Sequence, residues 1–124
     1  MKPLTSEWVT KAEADFTSAC REYRARKNPN FDAACFFAQQ CIEKYLKARL
    51  QEADIRFGKV HDLPYLLDLA LSIEPAWQPL REAMEDLTDF AVDLRYPGFS
   101  ASKDMAKKAV AECKRMRVIF RNAL

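Results

Sequence analysis

The stretch from Phe31 to Ala53 contains neither glycine nor proline, and it limits the folds open to this chain more than any other segment. At about 100° per residue it reads as one long helix. Phe31, Cys35, Ala38, Ile42, Tyr45 and Leu46 then gather on one side. Gln40, Glu43, Lys44 and Lys47 gather on the other, at i, i+3, i+4, i+7 spacing. The apolar side requires neighbouring elements to cover it. The polar stripe is where a function is first expected. Asn30 stands where an N-cap is needed.

The flanking segments repeat the helical period. A first helix is expected from about Glu7 to Ala25, capped by Ser6, with Trp8, Ala12, Phe16, Ala19, Cys20 and Tyr23 along its apolar line. Pro29 separates it from the central helix, because the residue before a proline avoids helical geometry. Gly58 marks a turn. Asp62 then caps a short helix through Leu63, Leu66, Leu67, Ala70 and Leu71, with Pro64 tolerated in its first turn. A fourth helix runs from about Pro79 to Leu94. It turns Leu80, Met84, Leu87, Ala91 and Leu94 inward and presents Glu82, Glu85, Asp86, Asp89 and Asp93 on its other face. Ser100 or Ser102 caps the last helix, which ends near Asn122, packs Met105, Ala109, Cys113, Met116 and Phe120, and is rich in lysine and arginine. With 2 glycines in 124 residues and no strand pattern, the fold class is all-α. The expected architecture is an up-and-down helical bundle of four main helices plus one short helix, in a single domain over residues 1–124. An acidic helix followed by a basic one implies that the two lie side by side or meet across a dimer.

Several classes of function are disfavoured. A net charge of +2 does not by itself mark a nucleic-acid binder. No apolar run reaches the length of a membrane span and the start lacks a signal-peptide core, so no membrane contact and a cytoplasmic location are expected. Cys20, Cys35, Cys41 and Cys113 form no CxxC or Cys/His spacing and read as free thiols, without disulfides or metal. The acidic ladder of the fourth helix lacks the Glu-x-x-His element of di-iron bundles. Neither a glycine-rich phosphate loop nor a nucleophile elbow is present, and no cofactor is expected.

Three groups of residues carry candidate chemistry. In the polar stripe, Glu43 and Lys47 form an acid-to-base i,i+4 pair, which on a solvated face is only mildly stabilising. Phe36 falls on the same side and favours a contact surface. His61, the only histidine, reads as a structural hydrogen-bond partner; it can serve as a general base only if the fold brings it a carboxylate or an arginine. Arg95 and Tyr96 precede Pro97 at a break between helices. Arg95 there complements a helix C-terminus, or a guanidinium, a hydroxyl and free N–H groups converge on a phosphate.

Taken together, the run Phe36-Phe37-Ala38-Gln39-Gln40-Cys41-Ile42-Glu43-Lys44-Tyr45-Leu46-Lys47-Ala48, the later His61-Asp62-Leu63 and the Arg95-Tyr96-Pro97 break resemble a HEPN domain. The resemblance covers the chain from Trp8 to the last helix. It implies a helical bundle, commonly a homodimer, acting as partner of a small nucleotidyltransferase in toxin–antitoxin-like pairs, with a nucleotide in its cleft. Some HEPN domains are metal-independent RNases that use an arginine followed a few residues later by a histidine. Arg95 matches the arginine, but Ser100, Ala101 and Ser102 stand where that histidine would fall. The resemblance therefore implies a non-catalytic module rather than an enzyme. It would bind a nucleotide, RNA or a nucleotidyltransferase partner through a groove of Gln40, Glu43, Lys44, Lys47, His61, Arg95 and Tyr96. Lys44, Lys47 and Arg95 would hold phosphate, and a base would stack on Tyr96 or Phe36. The alternative is an RNase pairing Arg95 with His61.

Overall fold

A computed structural model describes residues 1–124. Its elements are α1 (Pro3–Arg24), α2 (Phe31–Glu52), α3 (Leu63–Ala70), a short 3₁₀ helix (Pro75–Leu80), α4 (Arg81–Asp93) and α5 (Lys103–Asn122). The all-α bundle expected from the periodicity is the fold found. α2 forms its axis and packs against α1, α3, α4 and α5.

Local chemistry accounts for most boundaries. The Asn30 side chain accepts from the Ala33 N–H at 2.9 Å, Asp62 from Tyr65 at 3.3 Å and Ser102 from Met105 at 3.1 Å. Each satisfies a helix donor that has no partner within its own helix. Gly98, in the break after α4, has φ +94°, a conformation that side chains with a Cβ rarely adopt.

Two boundaries differ from expectation. α1 begins at Pro3 rather than Glu7, and Lys2, not Ser6, is its N-cap. The early start rests on a tertiary partner: Glu52, at the end of α2, accepts from the Lys2 N–H and the Thr5 hydroxyl, both at 2.9 Å. The fourth helix does not begin at Pro79. Pro75 and Pro79 lack N–H donors, and the chain takes a 3₁₀ turn before α4 starts at Arg81. That turn inserts Trp77 into the core, with its ring 4.6 Å from that of Phe120.

The core follows the apolar sides of the helices. α2 buries Cys35, Ala38, Cys41, Ile42, Tyr45, Leu46 and Leu50, and α5 contributes Ala106, Ala109, Cys113, Met116 and Phe120. α1 buries only the small Ala12 and Ala19 completely among its apolar residues, in keeping with its extensive contact with α2. The four cysteines are free thiols, and burial, with a smaller effect from Asp32, pushes Cys35 up to about 11. The acidic and basic helices do not lie flush; α5 packs on α2 and α1 and reaches α4 through the ion pair Lys108–Asp86, 3.2 Å long.

One carboxylate ties three helices together. Glu13 of α1 accepts two bonds from Arg117, at 2.5 and 2.6 Å, and one from Arg121 at 2.9 Å, and it accepts the Tyr45 hydroxyl of α2. The Arg117 bonds, with Tyr45 and Arg121 adding to them against the opposing effect of burial, hold Glu13 down at about 2, from an ordinary 4.5. Tyr45 moves upward, chiefly by burial and then by its bond to Glu13. A carboxylate depressed on folding stabilises the native state above its unfolded value. That contribution fades as pH falls from about 4.5 toward 2. Allowing for solvent screening, roughly 1–2 kcal/mol is at stake. Thermal melts of wild type and Glu13→Gln between pH 6 and pH 2 check this: the gap in Tm seen at pH 6 should close on acidification, and a constant gap would contradict it.

Candidate functional site

In the polar stripe of α2, Glu43 and Lys47 are shut off from water, while Gln40 and Lys44 are half-buried. Glu43 is 2% exposed and Lys47 4%. Lys47 Nζ donates to Glu43 Oε2 at 3.1 Å and lies 5.5 Å and 5.8 Å from the ring centroids of Trp8 and Phe57. Those two rings pack edge-on at 5.9 Å. The ammonium is thus enclosed by a carboxylate and two aromatic faces, where cation–π attraction adds to the ion pair. Removing both charges from water is costly, and the cost is offset only if the carboxylate's remaining acceptor capacity is used. Here it is. Gln39 Nε2 approaches Glu43 Oε1 at 3.4 Å and donates to the His61 carbonyl at 3.1 Å, while His61 Nδ1 lies 3.0 and 3.2 Å from the two Glu43 oxygens. Gln40 donates to Gln39 Oε1 at 2.8 Å. On the α1 side, Lys44 Nζ pairs with Asp15 at 2.5 Å.

The i,i+4 pair expected to line a binding groove is instead part of a buried network joining α2 to α1 and to the α2–α3 connection. Sequence reasoning left out Gln39, Trp8, Phe57 and Asp15. For Gln39 a signal was available, since Gln39, Glu43 and Lys47 recur every four residues. Trp8 reads as a core residue on the apolar line of α1, and no local pattern marks Phe57 or Asp15.

The fold gives His61 the carboxylate that a general base requires. Its side chain is 65% exposed, and with Nδ1 held by Glu43 the other ring nitrogen is left for solvent or a ligand. A carboxylate that fixes one imidazole nitrogen while the other faces a reactant is the orientation used in acid–base catalysis.

Arg95 and Tyr96 stand elsewhere. Arg95 lines a cleft of about 400 Å³ with Asp32, Phe36, Phe37, Ala91 and Leu94, and neither Gln40 nor the α2 lysines are among its walls. Phe36 and Phe37 meet edge-on at 5.5 Å. Arg95 has no carboxylate at ion-pair distance, although Asp32 shares the cleft; Asp32 Oδ1 accepts instead from the Ala101 N–H at 2.6 Å. Around this cleft Phe36 is 40% exposed and Tyr96 62%, with Val92 and Phe99 also open to solvent. The expected site residues thus fall into an enclosed Glu43 network with His61 at its rim and an open aromatic cleft at Arg95. The acidic side chains of α4 do not come together as a metal-binding group, and no helix is long and apolar enough to cross a membrane.

Comparison with known proteins agrees with the fold. No curated protein matches the chain. Among solved structures, the crystal structure of an archaeal HEPN homologue is similar, with a TM-score of 0.76, 22% identity and 98% of each chain covered. The family model described as HEPN domain matches residues 5–122, so that this chain belongs to the HEPN family.

Proposed function

We propose that this protein is a non-catalytic HEPN module that pairs with a second copy of itself and with a nucleotidyltransferase, and holds a nucleotide phosphate at Arg95. The observation carrying this reading is the Arg95 cleft. An arginine without a carboxylate partner stands there beside Phe36 and Phe37, with exposed Tyr96 and Phe99 nearby. An unpaired guanidinium suits a phosphate, an aromatic wall suits a base, and clustered exposed aromatics suit a protein interface. Lys44 and Lys47 play a different part from the one expected of them. They already neutralise Asp15 and Glu43 and hold the bundle together, which leaves Arg95 as the phosphate ligand.

Titration calorimetry with ATP and sedimentation of the free protein test this. Arg95→Ala should weaken nucleotide binding by about 10-fold or more, the loss expected for a charge-assisted contact of about 1.5 kcal/mol. Lys44→Glu should lower the Tm and leave the affinity unchanged. Phe36→Asp with Tyr96→Asp should turn a dimer into a folded monomer. A wild-type protein that stays monomeric and binds no nucleotide sinks the reading.

A second reading has one specific observation in its favour. The Glu43–His61 contact is a ready acid–base pair, which supports RNA cleavage with His61 as base; Arg95, in a separate cleft, takes no part in it. In this case wild type cleaves a panel of labelled RNAs without added metal, and His61→Ala and Glu43→Gln each lose about 100-fold or more in rate. Absence of cleavage by wild type discards it.

A further inference from the structure

The cations of this protein are unevenly satisfied. Lys108, Arg115, Arg117 and Arg121 of α5 each meet a carboxylate, and so do Lys44, Lys47 and Arg49 of α2. Arg21, Arg24, Arg26, Lys103 and Lys114 have no such partner, yet they converge along the seam between the end of α1 and the length of α5. Two adjacent clefts lie there. One, of about 360 Å³, is lined by Phe16, Arg21, Arg24 and Lys114. The other, of about 550 Å³, is lined by Tyr23, Arg24, Arg26, Phe31 and Lys103. Arg24 lines both, so the two clefts adjoin at its side chain. No acidic side chain lines either; the neighbouring Glu22 and Asp104 stand outside.

Five like charges held together without counter-charges destabilise the chain that carries them. They become favourable against a polyanion. At a helical rise of about 1.5 Å per residue, Lys103 and Lys114 are about 16 Å apart along α5. That span exceeds a single phosphate group and takes in several successive phosphates of a strand. The half-buried Tyr23 and Phe31 form aromatic walls among the cations, and aromatic faces take unpaired bases, which a duplex keeps stacked inside.

We propose that the α1–α5 seam binds a short single-stranded nucleic acid, its phosphates on Arg21, Arg24, Arg26, Lys103 and Lys114 and a base against Tyr23 or Phe31. This site shares no residue with the Arg95 cleft and does not depend on the function assigned there.

Fluorescence anisotropy with a labelled twelve-nucleotide oligouridylate tests the assignment on the full chain. With three or more phosphates neutralised, a slope of about −0.7 per phosphate predicts roughly 20-fold weaker binding when salt rises from about 50 to about 200 mM. Arg24→Glu with Lys103→Glu should weaken binding by about 10-fold or more. Arg56→Glu with Lys59→Glu makes the same change in net charge at the far end of α2, beyond the seam, and should alter affinity less than about 2-fold. Tyr23→Leu should cost roughly 5-fold or more without changing the salt slope. Arg95→Ala should leave strand binding intact, which separates this site from the nucleotide cleft. Circular dichroism verifies the fold of each variant. Absence of binding at low salt, equal losses in the two charge-reversal pairs, or tighter binding of polyglutamate than of the strand would overturn the proposal.

Discussion

A buried ion pair sets the geometry of this bundle. Glu43 and Lys47 sit one turn apart on the central helix, and neither tolerates water-free surroundings alone. Each calls in neighbours. Lys47 is roofed by Trp8 from α1 and Phe57 from the loop after α2; Glu43 draws Gln39 and His61. Those four partners come from three separate stretches of chain. Satisfying one pair of charges therefore fixes where α1 lies, how the α2–α3 connection folds back, and where the imidazole stands.

The helices themselves were largely legible in the sequence. Asn30, Asp62 and Ser102 are caps whose chemistry acts within a turn, and they act as their side chains predict. The apolar lines of α2, α4 and α5 turn inward as their period requires, except that Ala106 takes the buried place expected of Met105, which is half-buried. Long-range chemistry was not legible. α1 starts before Ser6 because Glu52, far along the chain, satisfies its first donors. The Pro75–Leu80 stretch takes its 3₁₀ form with Trp77 packed on Phe120, a contact that no local spacing encodes.

The candidate sites show the same division. Spacing along α2 places Gln40, Glu43, Lys44 and Lys47 on one face, but whether that face meets water or another helix depends on Trp8, Phe57 and Asp15. Polarity alone gives the wrong answer, because a charged residue can be buried when its partners arrive with it. His61 shows the converse. Its place before Asp62-Leu63 marks it in the sequence, but its Glu43 contact exists only in the folded chain. Phe36, on α2, and Arg95, in the turn after α4, become neighbours only when the end of α4 reaches the start of α2.

Glu13 and Arg117 are 104 residues apart, nearly the full length of the chain. A ribosome makes α1 and α2 well before α5, and through that interval the carboxylate of Glu13 and the hydroxyl of Tyr45 wait without their arginines. The flank that later receives Phe120 and Met116 stays open as well. α5, made after the other four helices, is therefore the one that closes this flank, docking on α1 and α2.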